Sequence, residues 1–331
     1  MISLSGEDGF VIFRDPNSKK NKLSLGEWEL INSKFEINKT SFICNIFNDD
    51  SYILNNPPRI IEDEIIIHQP SFFDEKNISK TEYQSGIDSV IKLCQHKIIE
   101  KCIISRIIKV NYESNNYYKI FKKLCDAYED GFKYILNHPK FGMWIGISPE
   151  TLISGNKEKG YYTHALAGSK LQTDSSKWSA KEIEEHQYVV KYIEEKIKNS
   201  GTITKESKVY EKIAGNLKHL NKDFEFTLKK SYLKFLNTLH PTPAIAGIPL
   251  EKSLEIIKQI ESHQRSLYCG FIGTVDKNSC NLFVNLRCGR ISLNEIQLFV
   301  GGGITKKSIA EQEYEETKIK SQTLLSIIKK I

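Results

Sequence analysis

Apolar side chains recur at helical spacing in several stretches of the chain. Residues 180–198 show this most clearly, because apolar positions follow one another at intervals of three and four, which predicts one buried face of an amphipathic α-helix. This stripe consists of Ile183, His186, Val190, Ile193 and Ile197. Further helices are predicted over 81–98, 226–239 and 250–260. Ser308 and Glu311 have the spacing of a capping box, which predicts the start of a final helix.

Runs of alternating or continuous apolar residues predict strands between these helices. In residues 101–110, one strand face carries Lys101 and Ile103, and the opposite face carries Cys102 and Ile104. Further strands are predicted over 141–148, 151–154, 161–166, 267–275, 281–290 and 295–301. Strand clusters that alternate with long helices favour an α+β fold with antiparallel sheets.

Composition limits the class of protein. The chain has 331 residues, 40% of them hydrophobic, which is enough for one large domain or two smaller ones. No apolar run approaches the ~20 residues that a membrane helix needs, and the first residues do not resemble a signal peptide. The seven cysteines are scattered, without a Cys-x-x-Cys pair, so we expect reduced thiols in a cytoplasmic protein.

The charge pattern favours a small anionic ligand over a nucleic acid. The formal net charge is +6, and the lysines are spread along the chain without a nucleic-acid-binding motif. The lysine-rich stretch 191–234 is typical of solvated helix faces and loops. A mild positive surplus is compatible with an anionic substrate.

The loop from His240 to Pro249 is stiff, because it contains three prolines and a glycine. Such a loop can hold His240 and Thr242 in fixed positions. Without further context it could equally be a rigid turn with a stray histidine.

The final helix carries acidic residues on one face. Glu313, Glu316 and Lys320 lie at positions i, i+3 and i+7 and therefore share that face. The simplest interpretation is a solvated surface with a weak Glu316–Lys320 ion pair. Glu185 provides a second carboxylate on the shoulder of its own helix, where it could be exposed or reach into a cleft.

Two residues occupy positions where a charge needs an explanation. Arg287 lies in an apolar strand-like run, where an unpaired buried charge is costly. Lys101 begins an otherwise apolar strand face, from which it could simply extend to water. In a closed cleft of low polarity it would instead hold its proton less tightly and could act as a general base.

Glu150 follows Pro149 at a strand break, which can direct its carboxyl inward.

Eight short segments follow one another along the chain: Lys101-Cys-Ile-Ile-Ser-Arg106, Ser148-Pro-Glu150, Ala165-Leu-Ala-Gly-Ser169, Glu185-His186, the loop from His240 to Pro249, Leu286-Arg287-Cys288, Gly301-Gly-Gly-Ile304 and residues 313–320. In this order they resemble the chorismate-binding enzymes, and most closely the isochorismate synthases among them. Together they extend over about residues 101–320, and the first hundred residues carry no such signal.

The resemblance implies a single domain over 1–331, acting as a monomer. Its fold would be α+β, with two facing antiparallel β-sheets flanked by helices and the active site between the sheets. Residues 1–80 would form a less certain amino-terminal part of the same sheets.

The resemblance also implies a Mg²⁺-dependent conversion of chorismate to isochorismate. Lys101 would activate water for attack at ring C2, Glu150 would protonate the departing C4 hydroxyl, and His240 would orient the ring or that hydroxyl. Glu185 and Glu316 would bind Mg²⁺, with Glu313 and Glu182 acting through water. Contacts to the substrate are implied for Gly168, Ser169, Thr242, Arg287, Gly301, Gly302, Gly303 and Lys320. The three glycines do not form a phosphate loop and could also mark a plain strand-to-loop break.

Alternatives remain among other enzymes of this family and among proteins that bind chorismate without catalysis. A salicylate synthase would carry the same lysine and eliminate pyruvate afterwards, although its loop usually differs from His-Pro-Thr-Pro-Ala. Anthranilate synthases add nitrogen and typically lack the lysine. A catalytically silent chorismate-binding protein would be expected to lose Lys101, Glu150 or a metal-binding glutamate, and all are present. Whether the product feeds menaquinone or siderophore synthesis stays open.

Overall fold

The computed structural model describes residues 1–32, 36–68, 70, 72–114 and 116–331. The helices are α1 (Lys80–Gln95), α2 (Tyr117–Ala127), α3 (Ala180–Ser200), α4 (Tyr232–Leu239), α5 (Leu250–Ile260) and α6 (Ala310–Ile328). None of the helices in these ranges has the length and apolarity needed to cross a membrane.

The strands fall into two halves along the chain. The first half contains β1 (Ile2–Leu4), β2 (Phe10–Arg14), β3 (Asn21–Leu25), β4 (Trp28–Leu30), β5 (Ser41–Asn45), β6 (Ser51–Leu54), β7 (Arg59–Ile61), β8 (Ile65–Ile67), β9 (Lys101–Asn111), β10 (Phe132–His138) and β11 (Gly142–Ser148). The second half contains β12 (Thr151–Asn156), β13 (Gly160–Leu171), β14 (Gly201–Glu206), β15 (Tyr210–Ala214), β16 (Leu217–Leu228), β17 (Gly247–Ile248), β18 (Phe271–Val275), β19 (Ser279–Val284), β20 (Cys288–Ser292) and β21 (Glu295–Thr305).

Two large antiparallel sheets form the body of the protein, which confirms the predicted α+β class. One sheet has nine strands in the order β17-β9-β21-β20-β11-β10-β2-β3-β7. The other runs β14-β16-β13-β12-β19-β18-β5-β6-β4, with β15 also paired to β16. A separate parallel pair joins β1 to β8. Strands from the first 67 residues therefore extend both large sheets, and a single domain over 1–331 remains our proposal.

The sheets pack face to face through an aromatic core. Phe132 on β10 stacks on Phe283 on β19, with ring centroids 4.6 Å apart. Phe13 on β2 packs against Phe42 on β5 in a tilted arrangement, with ring centroids 5.3 Å apart. These rings belong to the largest cluster of buried residues, which draws on both sheets, so the main hydrophobic core lies between them.

Helices cover the remaining faces. Helices α2 and α6 pack on the outer side of the nine-stranded sheet, and α1 and α5 pack on β9. Helices α3 and α4 extend the central core at the β13 and β16 side. The predicted helix over 250–260 is confirmed. In α3 the buried positions include His186, Ile193 and Ile197, but the predicted Ile183 is exposed and Val189 is buried instead.

One helix boundary and one capping box predicted from the sequence are wrong. Residues 226–228 continue strand β16, where Phe226 pairs with Tyr161 of β13 in the core, so the helix begins only at Tyr232. Ser308 and Glu311 form no capping box. The Ser308 hydroxyl accepts a bond from the Thr305 amide, and Glu311 pairs with Lys80.

Two strand predictions and the interpretation of the lysine-rich stretch also fail in part. Residues 267–270 form turns, and the strand starts at Phe271. The predicted strand over 281–290 is broken at 285–287, because the buried Asn285 side chain bonds to the Leu267 carbonyl and to the Tyr134 hydroxyl. The lysine-rich stretch is not solely helix face and loop, since 201–206 and 210–228 lie mostly in strands.

Candidate active site

A cavity lies where β9 and β21 of one sheet face β13 and β16 of the other. Helices α3 and α6 line another side of it with Glu185, Glu316 and Lys320. Its mixture of apolar walls with a few converging polar groups is typical of a small-molecule site. The predicted site residues that line it are Glu150, Gly168, Ser169, Glu185, Arg287, Gly301, Gly302, Gly303, Glu316 and Lys320.

Lys101 is fully buried beside this cavity. Strand alternation on β9 places it on the same face as Ile103, which lines the cavity wall. Its Nζ atom lies 2.9 Å from Glu185 Oε1, without the angles of a hydrogen bond, and no described residue accepts its protons. The interpretation of Lys101 as a lysine that extends to water is therefore wrong.

Gly303 is what allows Lys101 and Glu185 to meet. A Cβ atom at this position would lie 2.3 Å from Glu185 Oε1 and 2.8 Å from Lys101 Cε. The glycine run 301–303 lies inside strand β21, so its interpretation as a strand-to-loop break is wrong. Its missing side chains leave room for charged groups from β9 and α3.

Glu150 supplies a carboxyl that can hold a proton near neutral pH. The residue follows Pro149 between β11 and β12, is only 5% exposed and lines the cavity. Burial raises the pKa of Glu150 to about 7, although the positive charges of Lys101, Lys212 and Arg287 oppose this shift. A carboxyl in such a setting can serve as a general acid.

Three lysines neutralise three glutamates at the helix-lined side of the cavity. Lys101 pairs with Glu185, Lys320 Nζ lies 2.6 Å from Glu316 Oε1, and Lys181 pairs with Glu313. Burial opposes ionisation of Glu316, yet the Lys320 and Lys181 ammoniums lower its pKa to about 2. Glu313 is 1% exposed, so the interpretation of this helix face as a solvated surface is wrong.

These carboxylates fit a small dication that prefers oxygen ligands. Within the described ranges, no three His, Cys, Asp or Glu side chains converge closely enough to hold a metal by themselves. Mg²⁺ does not require this, because it commonly uses one or two carboxylates together with water and substrate oxygens. Glu185 and Glu316 both face the cavity, and Glu313 Oε2 is buried without a hydrogen-bond partner among the described residues.

Glu182 is engaged elsewhere. It closes the capping box at the start of α3, where its Oε2 accepts a hydrogen bond from the Ser179 amide at 2.6 Å. Its stem packs under Gly168, which has a φ of +70°. Any contact between Glu182 and a metal would have to compete with this cap.

Arg287 lies on the irregular segment between β19 and β20, so the prediction of a strand position is wrong. Its φ of 46° is unusual for a residue with a side chain. Burial lowers the pKa of its guanidinium, and Nη1 has no hydrogen-bond partner in the described part of the protein. A buried cation with an unused donor is suited to the carboxylate of a ligand.

His219 is a cavity residue that the sequence analysis missed. It lies on β16, and its Nδ1 is 2.7 Å from the Gly168 carbonyl oxygen and 3.2 Å from the Ser169 hydroxyl. Burial lowers its pKa to about 3, so the ring is neutral and its buried Nε2 has no partner among the described residues. The sequence offered one signal for His219: it lies in a strand-like run with Leu217 and Leu220. The lysines around this run made the strand hard to recognise.

His240 and Thr242 do not line the cavity wall. His240 Nε2 lies 2.9 Å from the carbonyl oxygen of Cys269, and Cys269 does line the cavity. Burial lowers the pKa of His240 to about 4, so the ring is neutral. The Thr242 hydroxyl accepts from the Ala244 amide, and Ala244 is again a wall residue. Both side chains thus support the wall from behind.

Comparisons with known proteins agree with this architecture. The vibriobactin-specific isochorismate synthase of Vibrio cholerae is 25% identical over 266 residues, which cover 75% of this chain and 67% of that protein. The structure of MenF, the menaquinone-specific isochorismate synthase from Escherichia coli, superposes with a TM-score of 0.82 at 17% identity, covering 98% of this chain and 89% of that one. DhbC from Bacillus anthracis gives a TM-score of 0.80 at 22% identity, covering 98% and 96%.

The family model described as chorismate binding enzyme matches residues 42–329. This range contains both large sheets' contributions to the cavity and each of the predicted site residues. The chain therefore belongs to the chorismate-binding enzyme family.

Proposed function

We propose that this protein is an isochorismate synthase that converts chorismate to isochorismate with Mg²⁺. The observation that carries the proposal is the pair of Lys101 and Glu150, a buried amine and a carboxyl with a raised pKa at one cavity. An amine and a protonated carboxyl are the groups needed to activate water and to protonate a departing hydroxyl.

The reaction balances with these two groups. This role requires Lys101 as the free amine, which accepts a proton from water as the water oxygen forms a bond to ring C2. The ring double bonds shift, the C4–O bond breaks, and Glu150 gives its proton to the departing hydroxyl, which leaves as water. One water enters and one leaves, so the product is an isomer of the substrate. A proton then returns from the Lys101 ammonium to the Glu150 carboxylate through solvent, which restores both groups.

The remaining cavity residues bind and orient the substrate. Arg287 offers its free Nη1 to a substrate carboxylate, and Lys320 adds a second positive charge. Gly168 and the glycines at 301–303 allow the backbone to approach the ring closely, and Ser169 provides a hydroxyl beside Gly168. His240 and Thr242 act through the backbone of Cys269 and Ala244.

Glu185 and Glu316 would hold Mg²⁺, which when bound neutralises and fixes a substrate carboxylate. Glu313 would act through water. Glu182 is less available to the metal, because its carboxylate forms the capping bond of α3. The names of the similar proteins support water as the nucleophile. All seven cysteines are free and buried, which supports a cytoplasmic location.

The proposal is tested by incubating the purified full chain with chorismate and MgCl₂ and separating the products. We expect isochorismate to accumulate. Salicylate and pyruvate formed from the outset would identify a salicylate synthase instead. Anthranilate formed in the presence of ammonia would overturn water as the nucleophile, and unchanged chorismate would indicate a binding protein without this activity.

A further inference from the structure

Lys181 is a charged residue of this site to which the proposed reaction gives no role. It lies in the first turn of α3, one turn before Glu185. Its side chain is only 19% exposed and its ammonium bonds to Glu313 Oε1 on α6. Glu316 and Glu185 attract the same ammonium, so its charge acts on both proposed metal ligands.

Glu313 is held in place by this contact. Its Oε1 is occupied by Lys181, and its buried Oε2 has no hydrogen-bond partner among the described residues. Oε2 lies 3.3 Å from the place where a Cβ atom of Gly302 would be, and Gly302 lines the cavity. Glu313 is therefore a third carboxylate at the edge of the proposed metal site, fixed on one side by an ammonium.

We propose that Lys181 keeps Glu313 from binding the metal directly and thereby selects Mg²⁺ over larger dications such as Ca²⁺. This inference rests on the proposed metal site at Glu185 and Glu316. With Glu313 tied to Lys181, two carboxylates remain for the metal, and water and substrate supply the other oxygens.

The physical reason is the difference in ligand number between the two ions. Mg²⁺ keeps several waters and needs few carboxylates, whereas Ca²⁺ takes six to eight oxygen ligands in a flexible arrangement. A third carboxylate would therefore favour Ca²⁺ more than Mg²⁺. The Lys181 charge also repels any dication, and this repulsion is not strongly screened at a buried site.

The test is calorimetric titration of the metal-free full chain with MgCl₂ or CaCl₂ alone, for wild type and Lys181→Met. We expect Lys181→Met to bind Ca²⁺ more tightly by about tenfold or more, because a nearby like charge is lost and a carboxylate is released. The gain for Mg²⁺ should be clearly smaller. Unchanged or weaker Ca²⁺ binding, or an equal gain for both ions, would overturn the proposal.

Lys307→Met is the matched control, because it removes a lysine that pairs with Glu184 on the outer side of the same helix. It should leave both affinities near wild type. If it reproduces the effect of Lys181→Met, the change reflects overall charge and the proposal fails.

A second comparison does not depend on the folding of Lys181→Met. Glu313→Gln should weaken Mg²⁺ binding much less than Glu316→Gln does. Equal losses would make Glu313 a direct ligand and overturn this inference. Wild type that binds neither ion, or a Glu316→Gln variant with unchanged affinity, would instead overturn the metal site on which the inference rests.

Discussion

Lys101 Nζ lies 2.9 Å from Glu185 Oε1, so the proposed general base and a proposed metal ligand are in direct contact. A cation bound by Glu185 would compete with this ammonium for the same oxygen. Gly303 makes room for this contact, because a side chain there would overlap both residues. The positions of Lys101 and Glu185 therefore depend on the glycine in β21.

Replacing Lys101 with alanine should lower kcat by ~10²–10⁴ while the fold persists, since a general base is lost. Isochorismate formation at saturating chorismate and Mg²⁺ measures the effect, and circular dichroism checks the fold. Lys109→Ala is the control, because Lys109 is on the same strand but pairs with Asp74 at the surface. Near-normal turnover by Lys101→Ala would show that another group activates the water.

The pH dependence of kcat/KM should show the titration of Glu150. This residue must be protonated to act as the acid, and its pKa is raised to about 7 by burial. Activity should therefore fall as pH rises above about 7, in the absence of other limiting groups. Glu150→Gln should lose most activity at every pH, and a wild-type profile without this alkaline decline would contradict the assignment.

Glu150 should also make folding stability depend on pH. Its folded-state pKa of about 7 lies above the ordinary pKa of 4.5 for an exposed glutamate. Its contribution is therefore fully present below pH 4.5 and is lost as pH rises through about 7. Urea denaturation at several pH values should show a smaller loss of stability over this interval for Glu150→Gln than for wild type.

Metal binding should depend on Glu316. Glu316→Ala should abolish Mg²⁺ binding in calorimetry and most turnover, because one of two carboxylate ligands is lost. Glu315→Ala is the matched control, since Glu315 is adjacent on the same helix and pairs with Lys318 in solvent. Chelator should stop wild-type turnover and added Mg²⁺ should restore it; full activity of Glu316→Ala with unchanged metal dependence would refute the site.

Gly303→Ala should impair catalysis more than Gly302→Ala. The new methyl group at 303 would overlap Glu185 Oε1 and Lys101 Cε, whereas at 302 the nearest atom is Glu313 Oε2 at 3.3 Å. We expect a large loss of kcat and of metal affinity for the first variant and a small change for the second. Equal effects of the two substitutions would mean that the spacing of Lys101 and Glu185 is not critical.

His240→Ala distinguishes a supporting residue from one that contacts the substrate. Loss of its bond to the Cys269 carbonyl should loosen the cavity wall, lower the melting temperature and raise KM. A large loss of kcat without loss of thermal stability would instead favour direct contact with the ring or its hydroxyl.

The sequence alone determined the features that depend on local pattern and on short motifs. Helical spacing located α1, α3 and α5, and strand alternation placed Lys101 and Ile103 on one face of β9. The ordered motifs identified the family and many of the residues that line the cavity, although His240 and Thr242 lie behind its wall. These signals are local, because a helix or strand face is set by periodicity over a few neighbouring residues.

Only the tertiary structure decided which of these residues meet, because such contacts join positions far apart in the chain. Whether Lys101 reached solvent or Glu185 depended on the packing of α3 against a strand that has glycine at 303. His219 and Lys181 joined the site through partners at Gly168 and Glu313, which no local pattern indicates. The break at Asn285 in the predicted strand over 281–290 also depends on distant residues. The buried Asn285 side chain bonds to Leu267 and Tyr134 in place of continued strand pairing.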